Sequence, residues 1–425
     1  MTVTTPHVGV RTFLDRTDAI PLVIADMSTI GGVFEPVADM DRSYFPVDAP
    51  VSFYTNDPVA VAAAGTTGTL RQTIDAITAE GIVATVTAAV PDAFANNATL
   101  EQKMAKMVGS PSDKTGAWAL LDAEAETGVV PDILIGPGFT SQRLGSAANP
   151  LATAFDAISE RLLTAVAVCD TPSTTKEAAV EWAADFSDSL NIIAVGQGVK
   201  VSVGGSPIVR PASPSVAALI AKTDKEEGAP YYNPGNRPLI GILGPSRSVG
   251  FSISDPDSEA NYLIQRGVNS LVQVNPTRTS KPGNVQGKTF WGFFNTSDDP
   301  LWRAINVVRA RKAVREVIPR TLVKYAGQNL GPHLVTVIMQ SLEAFLSQLK
   351  SLPKPAILGG EVVWDRNLND NATLRTGGLA VKLNFEEAPP VTDIRVYTGR
   401  YEAAFNILAD EIRAAMSQAG VGGQI

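Results

Sequence analysis

The chain has 425 residues, 44% of them hydrophobic and 18% charged, enough for several packed domains and a composition at odds with long disordered tracts. Its 43 acidic and 35 basic side chains leave a net charge of −8, a poor match for a phosphate backbone, so no nucleic-acid partner is expected. One cysteine, Cys169, and two histidines, His7 and His333, exclude an internal disulfide, zinc ribbons and His-rich metal centres.

Residues 1–6 carry neither the basic nor the apolar region of a secretory signal. The longest apolar stretches, such as Leu162 to Cys169, are far short of a bilayer span, so no membrane insertion is expected. Val8 and Val10 alternate around Gly9, and Arg11, Phe13 and Asp15 follow. This is strand spacing without a hairpin partner nearby, so the segment is either a frayed terminus or an arm that pairs with a distant edge.

From Ile20 onward strands and helices alternate. Pro21 to Ala25 reads as a short strand that Gly31-Gly32 breaks. Leu70, Ile74 and Ile77 sit at helical spacing within Thr69–Ala79, Gly81 stops that helix, and Ile82–Ala89 is a β-branched run. The rhythm repeats with Ile133–Ile135, a helix near Ala152–Leu163, the strand Thr164–Cys169, a helix at Thr175–Ser187 and the strand Ile192–Val195. Such alternation predicts a mixed α/β (α+β) fold with parallel strands. Between Val195 and Gly250 glycine and proline are frequent, with a short helix at Ser215–Ala221.

The last third is helical, then β. Pro300 opens a helix from Leu301 to Ile318, with Ala304, Val307, Ala310, Val314, Val317 and Ile318 on one face and Arg309, Arg311, Lys312 and Arg315 around the other arc. That basic arc is either a solvated face or a contact for an acidic partner or neighbouring subunit. Gly331-Pro332 opens a second amphipathic helix. Leu379, Val381, Leu383 and Phe385 alternate as a half-buried strand, and Ile394 and Val396 repeat the pattern. Tyr401, Phe405, Leu408, Ile412 and Met416 give a terminal amphipathic helix one apolar side.

Chemistry-bearing motifs are weak. Gly283 to Thr289 reads G-x-x-x-G-K-T, one residue short of a phosphate-binding loop, and it leads into the strand-like Phe290-Trp291 instead of a helix. Pro137 in Gly136-Pro137-Gly138 removes a donor that a phosphate would need. His333 lies in a first helical turn, Cys169 ends an apolar strand, and carboxylates such as Asp365 and Asp370 have no spatial relation readable from sequence. No catalytic residue, metal ligand or cofactor site is therefore assigned, and the chain is not expected to be an enzyme.

The order of segments resembles the contractile tail sheath proteins of phages and phage-like injection machines. The resemblance is strongest over Pro211 to Asn306. It is carried by Pro211–Asp224, by Gly228 with Pro230–Arg237, by Leu263–Ser270, by Gly287–Thr296 and by Asp299–Val307. Pro6–Arg11 is similar to the family's N-terminal arm, Ile133–Thr140 to its strand and turn, and Gly377–Val396 to the last hairpin of its inner domain. Phe293 and Phe294 depart from the usual small–Arg pair, Val308 replaces an arginine, and the helix from Tyr401 runs past the usual end.

The resemblance implies four regions: an exchange arm at 1–20, an outer α/β domain at 21–250, an inner domain at 251–400 and a helical extension at 401–425. It also implies a structural subunit that stacks as hexameric rings around an inner tail tube and contracts to drive the tube through a target envelope. Its partners would be further copies of itself, the tube, and baseplate and tail terminator proteins, and it would be found in the virion tail after assembly in the host cytoplasm. Strand exchange between copies would use Val8, Val10 and Phe13, with Ile394 and Val396, on a sheet containing Leu379, Val381 and Leu383; Arg309, Lys312 and Arg315 are the candidate contacts to the tube or a neighbour. The competing readings are a soluble α/β enzyme acting through carboxylates, and a non-contracting tail or surface-layer subunit.

Overall fold

A computed structural model describes Leu22, Ile24 and residues 27–274 and 287–420. Along the first half run β1 (Ile30–Val33), β2 (Val51–Tyr54), α1 (Pro58–Ala63), α2 (Gly68–Ala79), β3 (Thr85–Ala89), α3 (Leu100–Val108), α4 (Ala123–Thr127) and β4 (Ile133–Ile135). Next come α5 (Pro150–Leu162), β5 (Val166–Asp170), α6 (Lys176–Ala184), β6 (Ile192–Val195), β7 (Val199–Val203), β8 (Ser206–Arg210) and α7 (Ser213–Glu227). The second half holds β9 (Arg237–Pro238), β10 (Gly244–Pro245), α8 (Glu259–Ile264), β11 (Val268–Val274), β12 (Gly287–Trp291) and α9 (Ile305–Leu322). It closes with α10 (Pro332–Lys350), β13 (Ile357–Val363), α11 (Asn371–Arg375), β14 (Lys382–Glu387) and α12 (Ala403–Gln418).

Nine strands form one sheet in the order β2-β3-β1-β4-β5-β6-β11-β12-β9, with a parallel centre and antiparallel flanks. The central strands are apolar on both faces, as a sheet covered on both sides requires. Ile133, Ile135, Val166 and Val168 point to one core with α1, α2 and α7, while Leu134, Ala167 and Cys169 point to the other with α3, α5 and α6. Local sequence sets the helix starts. Thr99 and Gln102 form a capping box at α3, Asn149 accepts from Ala152 N–H ahead of Pro150 at α5, and the buried Asp170 carboxylate accepts from Ala212 and Ser213 N–H at α7.

Several expectations are corrected. Gly31 and Gly32 do not break a strand; they lie inside β1, which pairs with β3 and β4. A Cβ on Gly31 would lie 2.4 Å from Pro131 Cβ, and one on Gly32 would lie 2.9 Å from the Ile135 carbonyl oxygen, so these glycines serve close packing. The helix expected at Ser215–Ala221 runs from Ser213 to Glu227, since only one proline falls in it and that at the first turn. The helix expected from Leu301 begins at Ile305, because Asn295 N–H donates to Arg303 O and a Phe294–Ala304 bridge closes the preceding loop. β11 pairs with β6 and β12 with β11, so the large sheet continues past the boundary expected at residue 250.

Beyond the sheet, α9 and α10 pack with β13 and β14 around a third core that includes Val314, Val317, Leu342, Phe345 and Leu346. Residues up to Pro390 form one compact unit, and Val391–Ile425 forms a second. In the second unit, the strand expected at Ile394 and Val396 is absent among the described residues, and the terminal helix is α12.

Candidate assembly surfaces

The two-stranded β13–β14 sheet is antiparallel, with Val363 opposite Lys382 and Ile357 opposite Glu387. Leu383 and Phe385 turn toward α10 in a half-buried position, and Leu379 and Val381 join the same core just before β14. The outward positions Lys382, Asn384 and Glu386 are exposed. Among the described residues neither strand pairs with a third, so each keeps an edge without a strand partner there, that of β14 being taken at Phe385 O by Arg311. In the C-terminal unit Ile394 and Val396 are 78% and 77% exposed. Val8, Val10 and Phe13 lie outside the described residues.

The basic arc of α9 is not a surface arc. Arg309 is 0% and Lys312 4% exposed, and only Arg315 of the three expected contact residues is exposed. The reason is the breadth of the apolar face: Ile305, Val307, Val308, Ala310, Ala313, Val314 and Val317 are all buried, so the helix is enclosed on most sides. Arg309 donates to both oxygens of Asp224 on α7, at 2.8 and 2.6 Å, and to Met27 O at 2.9 Å. Lys312 Nζ donates to Ala165 O at 2.8 Å and Ser159 O at 3.3 Å; burial holds its pKa down at about 8.

The other side of α9 is tied to the β13–β14 layer. Arg311 pairs with Glu387, donates to Phe385 O at 2.9 Å and stacks 3.8 Å from the Phe385 ring. Asn306 Nδ2 donates to Ala388 O, and its Oδ1 accepts from Asn233. The helix is therefore a buried weld between the nine-stranded sheet and the helix–hairpin layer. Periodicity found its apolar face but not its enclosure; the signal was an apolar arc too wide for a half-exposed helix.

The remaining motifs are structural. Lys288 and Thr289 lie in β12, with Lys288 Nζ donating to Ile242 O at 2.9 Å, while Gly283–Gln286 lie outside the described residues. Cys169 is fully buried, which pushes its thiol pKa up. His333 is exposed at the start of α10, Asp365 accepts from Asn367 N–H, and Asp370 caps α11 by accepting from Thr373 N–H. No group of side chains suited to a metal ion occurs among the described residues, and no helix there is long and apolar enough to cross a membrane.

The model of the phage tail sheath protein central domain matches residues 112–278. A putative prophage major tail sheath protein of Pseudomonas aeruginosa (strain UCBPP-PA14) is 30% identical over 285 residues, which is 67% of this chain and 68% of that protein. The chain belongs to the phage tail sheath protein family. The tail sheath protein of Escherichia phage P2 is 26% identical over 379 residues, 88% of this sheath-family chain and 90% of its relative. The fold matches the sheath of the PVC extracellular contractile injection system in its contracted state with a TM-score of 0.69 at 15% identity, over 95% of this chain and 100% of that one.

Charge is unevenly distributed along this sheath subunit. Residues 27–299 hold 29 acidic and 18 basic side chains, whereas residues 300–390 hold 7 acidic and 12 basic. The nine-stranded unit is thus acidic and the helix–hairpin layer basic, a segregation that the net charge of −8 conceals.

Proposed function

We propose that the chain is a contractile sheath subunit that stacks as hexameric rings around an inner tail tube and shortens to drive that tube through an envelope. The open edges of β13 and β14 carry this reading, together with a C-terminal segment whose apolar side chains are left in solvent. Residues 392–400 of one copy, and residues 6–15 of another, add as strands to a neighbour's β13–β14 sheet. Main-chain hydrogen bonds of this kind keep copies connected while their bodies rotate. Contacts between unlike patches close into rings where the rotation between copies closes and build an open helical stack where it does not.

The body up to Pro390 moves as one piece, since the α9 weld fixes its two layers together, and the motion falls to the terminal segments. No nucleotide is needed: a bias of ~1 kcal/mol per copy shifts an isolated equilibrium only about fivefold, but meshed copies add their biases. The tube, baseplate and tail terminator proteins are the partners, and Arg315 is the remaining candidate of the arc for a tube or neighbour contact. Negative-stain microscopy of purified chain tests the reading. Tubular polymers support it; monodisperse particles with turnover would favour the carboxylate enzyme, and polymers of one fixed pitch the non-contracting subunit.

A further inference from the structure

A cleft of about 690 Å³ lies between α2, the β7–β8 hairpin and the loop at Ile240–Leu243. Ala76, Ala79, Val199, Val201, Ile240 and Leu243 give it apolar walls. At one side Asp75 accepts from Arg71 Nε at 2.9 Å and from Arg210 Nη1 at 3.3 Å. One carboxylate is shared by two guanidinium groups, so the cleft keeps one positive charge uncompensated, and Arg210 Nε is buried without a partner among the described residues.

The apolar rim is held outward by design of the backbone. The buried Glu80 carboxylate accepts from Ile240 N–H and Gly241 N–H, each at 3.0 Å, which pins the loop while the Ile240 side chain stays 59% exposed. The hairpin turns at Gly204-Gly205 with φ of 57° and 84°, the two-residue turn that matches strand twist. Lys200 O accepts from Leu243 N–H, so the backbone of Val209 opposite Lys200, and of Pro207 two residues earlier, faces the free edge of β8. Proline there has no N–H to offer, which disfavours strand addition and leaves the side-chain face for docking.

We propose that this cleft is a copy-to-copy seat in the assembled particle, taking an acidic and apolar surface segment from the nine-stranded unit of a neighbouring chain. Charge complementarity selects that occupant. Arg71 and Arg210 line the cleft against the single carboxylate of Asp75, on a unit where acidic side chains outnumber basic ones 29 to 18, so a second copy supplies the carboxylates in excess. The seat rests on the sheath reading and is separate from the terminal strands that join copies in it.

The test uses full-length chain with Val203→Cys, a position lining the cleft, labelled with a benzophenone maleimide; Cys169 is buried and stays unlabelled. Isotopically light and heavy chains are mixed, assembled, imaged and irradiated. The expected result is tubes with light–heavy cross-links to Asp- or Glu-bearing peptides of residues 27–299, reduced at least tenfold in yield by adding Arg210→Glu. Tubes with no intermolecular cross-link, or with cross-links to residues 300–390, overturn the seat and leave the sheath reading intact. Failure of the unlabelled parent chain to form tubes under the same conditions overturns both.

Discussion

Arg309 and Asp224 form a two-pronged ion pair in which the side chains are 1% and 0% exposed, joining α9 to α7 in the middle of the subunit. Such a pair is costly to break from one side, because the remaining charge stays buried, whereas removing both charges is far milder. Arg309→Met should destabilise the body by about 3–5 kcal/mol. The double variant Arg309→Met/Asp224→Leu should lose much less than the sum of the two single changes. Urea denaturation of unassembled chain measures both; additive losses would show that the pair is not a coupled unit.

Near that pair lies Asp132, which accepts from Thr29 N–H at 3.3 Å. Burial pushes its pKa up to about 7; hydrogen bonds from Thr164 and Thr29 and the Arg309 charge pull the other way, and Asp224 adds a smaller upward push. Between about pH 4 and pH 7 the folded chain holds a proton that the unfolded chain releases. Its contribution to stability is therefore complete below about pH 4 and is lost as pH rises through 7. Asp132→Asn should match the parent near pH 4 and exceed it at pH 8, by at most about 4 kcal/mol. Parallel stability–pH curves for the two chains would refute this.

The Gly31-Gly32 pair shows where sequence reading stops. Two adjacent glycines are a turn signal in isolation, yet here they sit inside β1, between β3 and β4, because Pro131 and Phe34 fill the space that side chains would take. Gly31→Ala should cost about 1–3 kcal/mol through overpacking, since a Cβ there would lie 2.4 Å from Pro131 Cβ. Thermal melts of Gly31→Ala decide it, and an unchanged midpoint would mean that the strand relaxes freely.

The α/β rhythm was legible at β3 and from β4 to β6, where the strands are apolar on both faces and α5 and α6 begin at Asn149-Pro150 and Thr175, whereas α3 went unread despite its Thr99–Gln102 capping box. The continuation of the sheet through β11 and β12 was not, since pairing between β6 and β11 spans more than seventy residues of sequence and local pattern holds no record of it. The same limit hid the fate of Arg309 and Lys312. Their charge spoke for solvent, while contacts from Asp224 and Met27 to Arg309 and from Ser159 and Ala165 to Lys312 turn them inward.

Segregated charge gives a salt prediction. Crowding the acidic nine-stranded units against one another costs energy, and screening at 0.5 M salt shortens the reach of that repulsion to a few ångströms. If contraction brings like-charged units closer, extended particles should contract more readily at high salt. Counting extended and contracted tubes by negative stain at about 0.05 and 0.5 M measures this. Identical proportions across that range would remove electrostatics from the contraction step.

Truncation before Val391 separates folding from assembly. The chain is tethered as far as Ala388, whose N–H donates to Ala356 O and whose carbonyl accepts from Asn306, and Glu387 is held by Arg311. Every residue from Val391 to Gly420 is exposed, and this stretch belongs to a unit of its own. A chain ending at Pro390 should therefore keep the parent's urea midpoint within about 0.5 kcal/mol, the range of changes that touch no buried feature. If residues 392–400 add to a neighbour's β13–β14 edge, as proposed, it should form no tubes at concentrations where the parent does. Tubes from the truncated chain would show that assembly runs through other contacts, and a large loss of stability would show that the segment belongs to its own body.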